Sequence, residues 1–213
     1  MTQQSPVIDV HAHIVFEPLH GAAGPHGHEA AVDEQGVNFF RIGEYQLKPL
    51  SYEGSVFIDM ALRLAHMDRL GIDVQVLSAN PLTMFHGIDA ATATAFCQQQ
   101  NDLMALAIAE HPERLLGLGS LPMQSVTASC HELERVVKDL GLSGVAIGTD
   151  FPGGFANPHL DPLYEALVAL DVPLFVHPSS TDGVGGLADP RLGAHALSLS
   201  LGYAYEETLA VAS

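Results

Sequence analysis

Cations are what this 213-residue chain has least of: eight Lys and Arg stand against 25 Asp and Glu, for a formal charge of −17. A chain so acidic repels a phosphate backbone, which argues against nucleic acid as a partner. Tryptophan is missing altogether, and the two cysteines, Cys97 and Cys130, make neither a Cys-x-x-Cys pair nor a disulfide framework. Both fall in helical patterns and read as small hydrophobes of a reducing compartment. No apolar run approaches the length of a membrane span, and Met1 to Pro6 has no basic leader. The expectation is a soluble, cytoplasmic protein with no membrane partner. Also lacking are a Walker motif, a G-x-S-x-G elbow and a G-x-G-x-x-G turn after the first strand. Gly117-Leu118-Gly119-Ser120 has no third glycine and reads as strand and turn.

What is present centres on Val7 to His13, a short apolar strand that ends in His11 and His13. In extended chain, residues i and i+2 point the same way, so the two imidazoles can approach one ion together. From about Ile14 to Ser55 the pattern turns irregular, rich in Gly and His, as expected of a lid or substrate loop. His26-Gly27-His28 copies the ligand spacing but has no strand beneath it. Arg41 is a lone cation beside Phe39 and Phe40.

Regular periodicity then begins. Phe57, Met60, Leu64 and Met67 follow helical spacing, closed by Gly71. Strands are expected at 72–77, 115–121, 144–147 and 172–176, with helices at 90–110 and through Val126, Cys130, Leu133, Val137 and Leu140. Asp161-Pro162 looks like the cap and first turn of another helix, and a last one begins near Tyr203. The length allows one domain, residues 1–213, with one sizeable core. Five alternations of strand and helix mean a parallel sheet with right-handed crossovers, either open or closed into a (β/α)8 TIM barrel. Histidines where a dinucleotide fold needs glycines favour the barrel, with its chemistry at the carboxyl ends of the strands. His177 ends the fifth strand, across the barrel mouth from the first. His11, His13 and His177 can therefore converge on one ion, and three nitrogens with an open fourth position suit a catalytic zinc.

Four stretches resemble the amidohydrolase superfamily, in its branch containing aminocarboxymuconate-semialdehyde decarboxylase. They are Asp9-Val10-His11-Ala12-His13, the run from Ala65 to Ser78, Gly144-Val145-Ala146-Ile147-Gly148-Thr149, and Pro173-Leu174-Phe175-Val176-His177-Pro178. The resemblance implies one divalent ion, zinc by preference, held by His11, His13 and His177. The only lysines are Lys48 and Lys138, so the bridging lysine of dinuclear relatives has no counterpart in the fourth strand. It implies Arg41 as the grip on a substrate carboxylate, and a homodimer is common in the family. Two departures stand out. Ser179 follows His177-Pro178 where the decarboxylase often has tryptophan, and strands six to eight of the barrel lie beyond the sequence. With them go the family's acid–base histidine and metal-binding aspartate, so no catalytic acid or base is assigned, and the chain reads as a fragment or truncated product with only the first five β/α units.

The activity implied is a carbon–carbon lyase on a carboxylated muconate semialdehyde or an aromatic acid. Water activated by the ion adds to the substrate, or the ion chelates it, and protonation at carbon releases carbon dioxide. The alternatives are a hydrolase or hydratase using the same ion, a deoxyribonuclease-like barrel, disfavoured by the charge, and a catalytically inactive barrel remnant.

Overall fold

A computed structural model describes residues 5–42, 45–84, 86–151, 153–179 and 197–212. Five parallel strands carry the architecture: β1 (Ile8–Ile14), β5 (Val74–Ala79), β6 (Leu115–Ser120), β7 (Gly144–Gly148) and β8 (Leu174–His177), hydrogen-bonded in that order. Between them run α1 (Met60–Leu70), α2 (Ala90–Ala109), α3 (Val126–Lys138) and α4 (Asp161–Leu170), and α5 (Leu197–Ala212) follows β8. These are five of the eight β/α units of a TIM barrel, as the alternation predicts. The sheet is strongly curled. Five flat strands at about 4.8 Å spacing would hold their edges roughly 19 Å apart, yet rings on the two edge strands meet at about 5 Å, as described below.

Local chemistry sets the boundaries. Asp59, Asp89 and Ser125 cap α1, α2 and α3 by accepting from the amides of Leu62, Thr92 and Ala128. Gly71 ends α1 at φ 69°, a left-handed residue that glycine adopts without steric cost. The sequence does misplace some ends. Leu160, not Asp161, occupies the N-cap position of α4 and makes no side-chain cap; Asp161 lies inside the first turn, where its charge suits the helix dipole. The last helix begins at Leu197, ahead of Tyr203.

The main core of the described residues fills the space between sheet and helices, with Met67, Leu77, Met104, Leu115, Leu133, Val136, Val145 and Leu163 almost wholly buried. Gly117 and Gly119 lie where α2 and α3 cross the sheet. A Cβ at Gly119 would sit 2.8 Å from Val136, so these glycines serve close packing rather than a nucleotide. Cys97 is buried and free, and burial together with the Glu132 carboxylate pushes its thiol up to about 12. Alkylation at pH 8 is therefore expected to modify partly exposed Cys130 well before Cys97, by mass spectrometry of the native chain. Equal labelling of the two would contradict this packing.

The irregular stretch is more ordered than its composition suggests. Residues 28–47 form a separate antiparallel sheet of β2 (His28–Val32), β3 (Asn38–Ile42) and β4 (Tyr45–Leu47). His28 thus starts a strand, contrary to the expectation of a bare loop. Tyr52 ties this sheet to the barrel: its ring packs edge-on against Phe40 of β3, and its hydroxyl accepts from Asn80, just past β5. The small sheet is thereby fixed at the carboxyl ends of the barrel strands.

Candidate metal centre

His11 and His13 leave β1, and His177 closes β8, at opposite edges of the curled sheet. The three rings form a near-equilateral triangle, with centroids 4.9 Å (His11–His13), 4.9 Å (His13–His177) and 5.1 Å (His11–His177) apart. One ligand nitrogen from each lies within 4.8 Å of the others. The Nε2 atoms of His11 and His13 are 3.1 Å apart. Two ligand nitrogens of a tetrahedral zinc, at about 2.0–2.1 Å from the ion, stand about 3.3 Å from each other. The donor set and its spacing therefore fit one divalent ion.

Neighbouring groups hold the rings in ligand form. The Nδ1 of His177 lies 2.6 Å from the carbonyl of Pro178. A carbonyl only accepts, so Nδ1 carries the proton and Nε2 is the basic nitrogen of the ring. The Nδ1 of His13 lies 3.0 Å from the Ser78 hydroxyl. Burial, then the positive fields of His177 and His11, lower the His13 pKa to about 4, which keeps it neutral near pH 7. Phe175 packs edge-on against His11 from within β8.

A one-residue bulge makes this geometry possible. Asp9 pairs with Gln75, but Ala12 pairs with Leu77, so β1 spends three steps where β5 spends two. Asp9 consequently shares the helix-facing side with Gln75, whereas His13 shares the inner side with Ser78. In a regular strand with no bulge, the four-residue separation would put Asp9 and His13 on the same face. Bulges beside active sites re-aim side chains in this way.

Arg41 is not brought into the histidine triangle by any contact among the described residues. It stands in β3, directly opposite Glu29 of β2, and its guanidinium grips that carboxylate through both Nε and Nη2. A second polar cluster at the strand ends joins Asp150 and Ser179, both at strand ends in the sequence, to His86, which no sequence pattern marked. His86, in the loop after β5, is 7% exposed, and its Nε2 lies 3.6 Å from a carboxylate oxygen of Asp150, after β7. Burial lowers the His86 pKa, with Asp150 opposing. The Ser179 hydroxyl donates to Asp150 and accepts from the amides of Thr149 and Asp150. Gly148 admits this approach, since a Cβ there would sit 2.1 Å from the Ser179 oxygen. Ser179 is thus a latch between two strand-end loops, in place of a bulky pocket wall. Among the described residues, no helix is long and apolar enough to cross a membrane.

Comparison with known proteins agrees with this geometry. The chain is 36% identical over 121 residues to 2-amino-3-carboxymuconate-6-semialdehyde decarboxylase of Dictyostelium discoideum, covering 56% of this chain and 34% of that protein. It is 35% identical over 134 residues to 2-keto-4-carboxy-3-hexenedioate hydratase of Sphingobium, covering 58% and 38%. The chain therefore spans well under half the length of these curated relatives. Among solved structures, 5-carboxyvanillate decarboxylase of Novosphingobium aromaticivorans, crystallised with manganese and a nitrobenzoic acid, superimposes with a TM-score of 0.64 at 28% identity, covering 73% of this chain and 44% of that one. A family model described as Amidohydrolase (Amidohydro_2) matches residues 8–211. With that match over nearly its whole length and three strand-end histidines on one point, the chain belongs to the amidohydrolase family.

Proposed function

We propose that this chain carries the metal-binding half of a divalent-metal-dependent decarboxylase acting on a carboxylated muconate semialdehyde or an aromatic acid. The observation that carries the reading is the convergence of His11, His13 and His177, with Nδ1 of two rings already engaged. The relatives support the chemistry: one decarboxylates a muconate semialdehyde, and one solved neighbour is an aromatic-acid decarboxylase that holds manganese. An all-imidazole site favours zinc over manganese, which prefers oxygen ligands. When bound, the ion supplies a Lewis acid that polarises substrate oxygens.

The chain's own residues divide the remaining work. His11, His13 and His177 present lone pairs; Ser78 and the Pro178 carbonyl orient two of the rings. The 28–47 sheet, pinned by Tyr52 to Asn80, covers the strand ends as a lid and brings Arg41 with it. Arg41 already holds a carboxylate, that of Glu29, and takes a substrate carboxylate by sharing or exchanging it. Arg41→Met is expected to lower kcat/KM about 10- to 100-fold, mostly through KM, because a hydrogen bond to a charged group contributes about 1.5–3 kcal/mol. An unchanged KM would remove Arg41 from the site.

A second reading keeps the ion and replaces decarboxylation by addition of water, favoured by the likeness to the hydratase. The experiment is to load the purified chain with zinc or manganese, remove free metal, and assay 2-amino-3-carboxymuconate semialdehyde, 5-carboxyvanillate and an unsaturated keto-diacid. Carbon dioxide release supports the decarboxylase; hydration without carbon dioxide supports the second reading. Bound metal without turnover supports the remnant, and failure to bind metal defeats all but that one. Gel filtration of the same sample tests the homodimer.

A further inference from the structure

Arg63 is the least expected buried residue of the molecule. It lies on α1, 3% exposed, between that helix and the sheet. One guanidinium nitrogen, Nη2, donates to the main-chain carbonyl of His13 at 2.7 Å; the other, Nη1, donates to Oε1 of Gln75 at 2.7 Å. Gln75 in turn donates from Nε2 to Asp9 at 2.8 Å, and the second carboxylate oxygen of Asp9 accepts from the amide of His11 at 3.1 Å. Arginine can only donate and carboxylate can only accept, so Gln75 between them has one permitted orientation. The chain of bonds starts at the carbonyl of His13 and ends at the amide of His11, and it encloses the bulge.

We propose that Arg63 is a positioning residue: with Gln75 and Asp9 it clamps the β1 bulge and fixes the register in which His11 and His13 face His177. The extra residue in β1 shifts the register against β5 between Asp9 and Ala12, so regular pairing alone does not fix the chain there. A slip of one residue would turn every following side chain to the other face, both histidines included. The clamp prevents this by holding the bulge at both ends from the helix side, with its Arg63–Gln75 bond buried. Arg63 spends much on the task. Its buried Nε has no hydrogen-bond partner among the described residues, and burial lowers its pKa to about 10 even with Asp9 opposing. A buried cation on these terms contributes little net stability, and its value is geometric.

The inference rests on the metal reading above, and its test separates the two. Arg63→Lys keeps the charge but replaces a rigid fork with a point donor. Asp9→Asn keeps the shape but places an amide against one of the two donors Asp9 now serves. For parent and variants, zinc affinity is measured by chelator competition per folded molecule, and amide exchange is followed at residues 9–13 and across β6. Expected are a 10- to 100-fold weaker zinc affinity, as for other groups that orient ligands, and at least tenfold faster exchange at residues 11–13, with β6 unchanged. Unchanged affinity and exchange in folded variants would overturn the proposal, as would loss of protection spread evenly over β1 and β6. Should Arg63→Lys not fold, Asp9→Asn decides alone. A parent that binds no zinc defeats the metal reading, while exchange at residues 11–13 still decides the clamp.

Discussion

His177→Ala is expected to weaken divalent-metal binding by about two to three orders of magnitude. Structural zinc sites with four ligands contribute about 10–16 kcal/mol, so one ligand of the set accounts for roughly 3–4 kcal/mol. His177 is also the one histidine of the triangle on the far edge of the sheet, so its loss leaves only the two nitrogens of His11 and His13. The control is His86→Ala. That histidine is equally buried, at 7% exposed, and sits at the same end of the barrel beside Asp150 instead of in the triangle. Any general loosening of the mouth would weaken metal binding in both variants. Competition against a chromogenic chelator should show a loss in His177→Ala and little change in His86→Ala. Equal losses would mean that the triangle is not the binding site.

The second large effect concerns the core. Glu132 of α3 is 2% exposed, and its carboxylate takes two bonds from Arg135, at 3.0 and 2.7 Å, and one from Asn101 of α2 at 2.7 Å. Arg135 also reaches Asp102 and the carbonyl of Gln98, so one guanidinium joins the two helices. Proximity to Glu132 raises the pKa of Arg135 despite partial burial. Arg135→Met strands a buried carboxylate. Breaking such a pair costs about 3–5 kcal/mol, whereas replacing both partners by apolar residues is often neutral. A Tm drop of roughly 10 °C is expected, at about 2–4 °C per kcal/mol for a chain of this size. Arg135→Met/Glu132→Met should recover most of it. A double variant as unstable as the single one would show that the helices are held by packing alone.

How far the sequence foretold this molecule depends on the range of the interaction. The strand and helix order was legible because it rests on near-neighbour periodicity, and the boundary at Gly71 because a left-handed residue favours glycine. The histidine triangle was legible too, since both halves lie at strand ends and the barrel brings first and fifth strands together. The bulge was not. Period-two spacing correctly places His11 and His13 on one face, but it puts Asp9 there as well, and only the pairing with Gln75 reveals the extra residue. Arg63, Gln75 and Ser78 act through bonds to residues 12 to 66 positions away, which no local pattern records. The 28–47 sheet was hidden for a related reason: its strands are short, and glycine and histidine around them mask the alternation. Arg41 shows a residue whose partner was hidden with it. Its resemblance to a substrate grip drew attention, and its cross-strand pairing with Glu29 appears only in the folded sheet.

Three imidazoles from the two edges of one curled sheet are proposed to hold a single ion. X-ray absorption at the zinc edge, on the chain loaded with one equivalent of zinc, addresses this directly. Zinc held in this way gives a shell with three imidazole nitrogens at about 2.0–2.1 Å and the outer-ring scattering that marks histidine. A shell of oxygens alone, or scattering from fewer than three imidazoles, would contradict it.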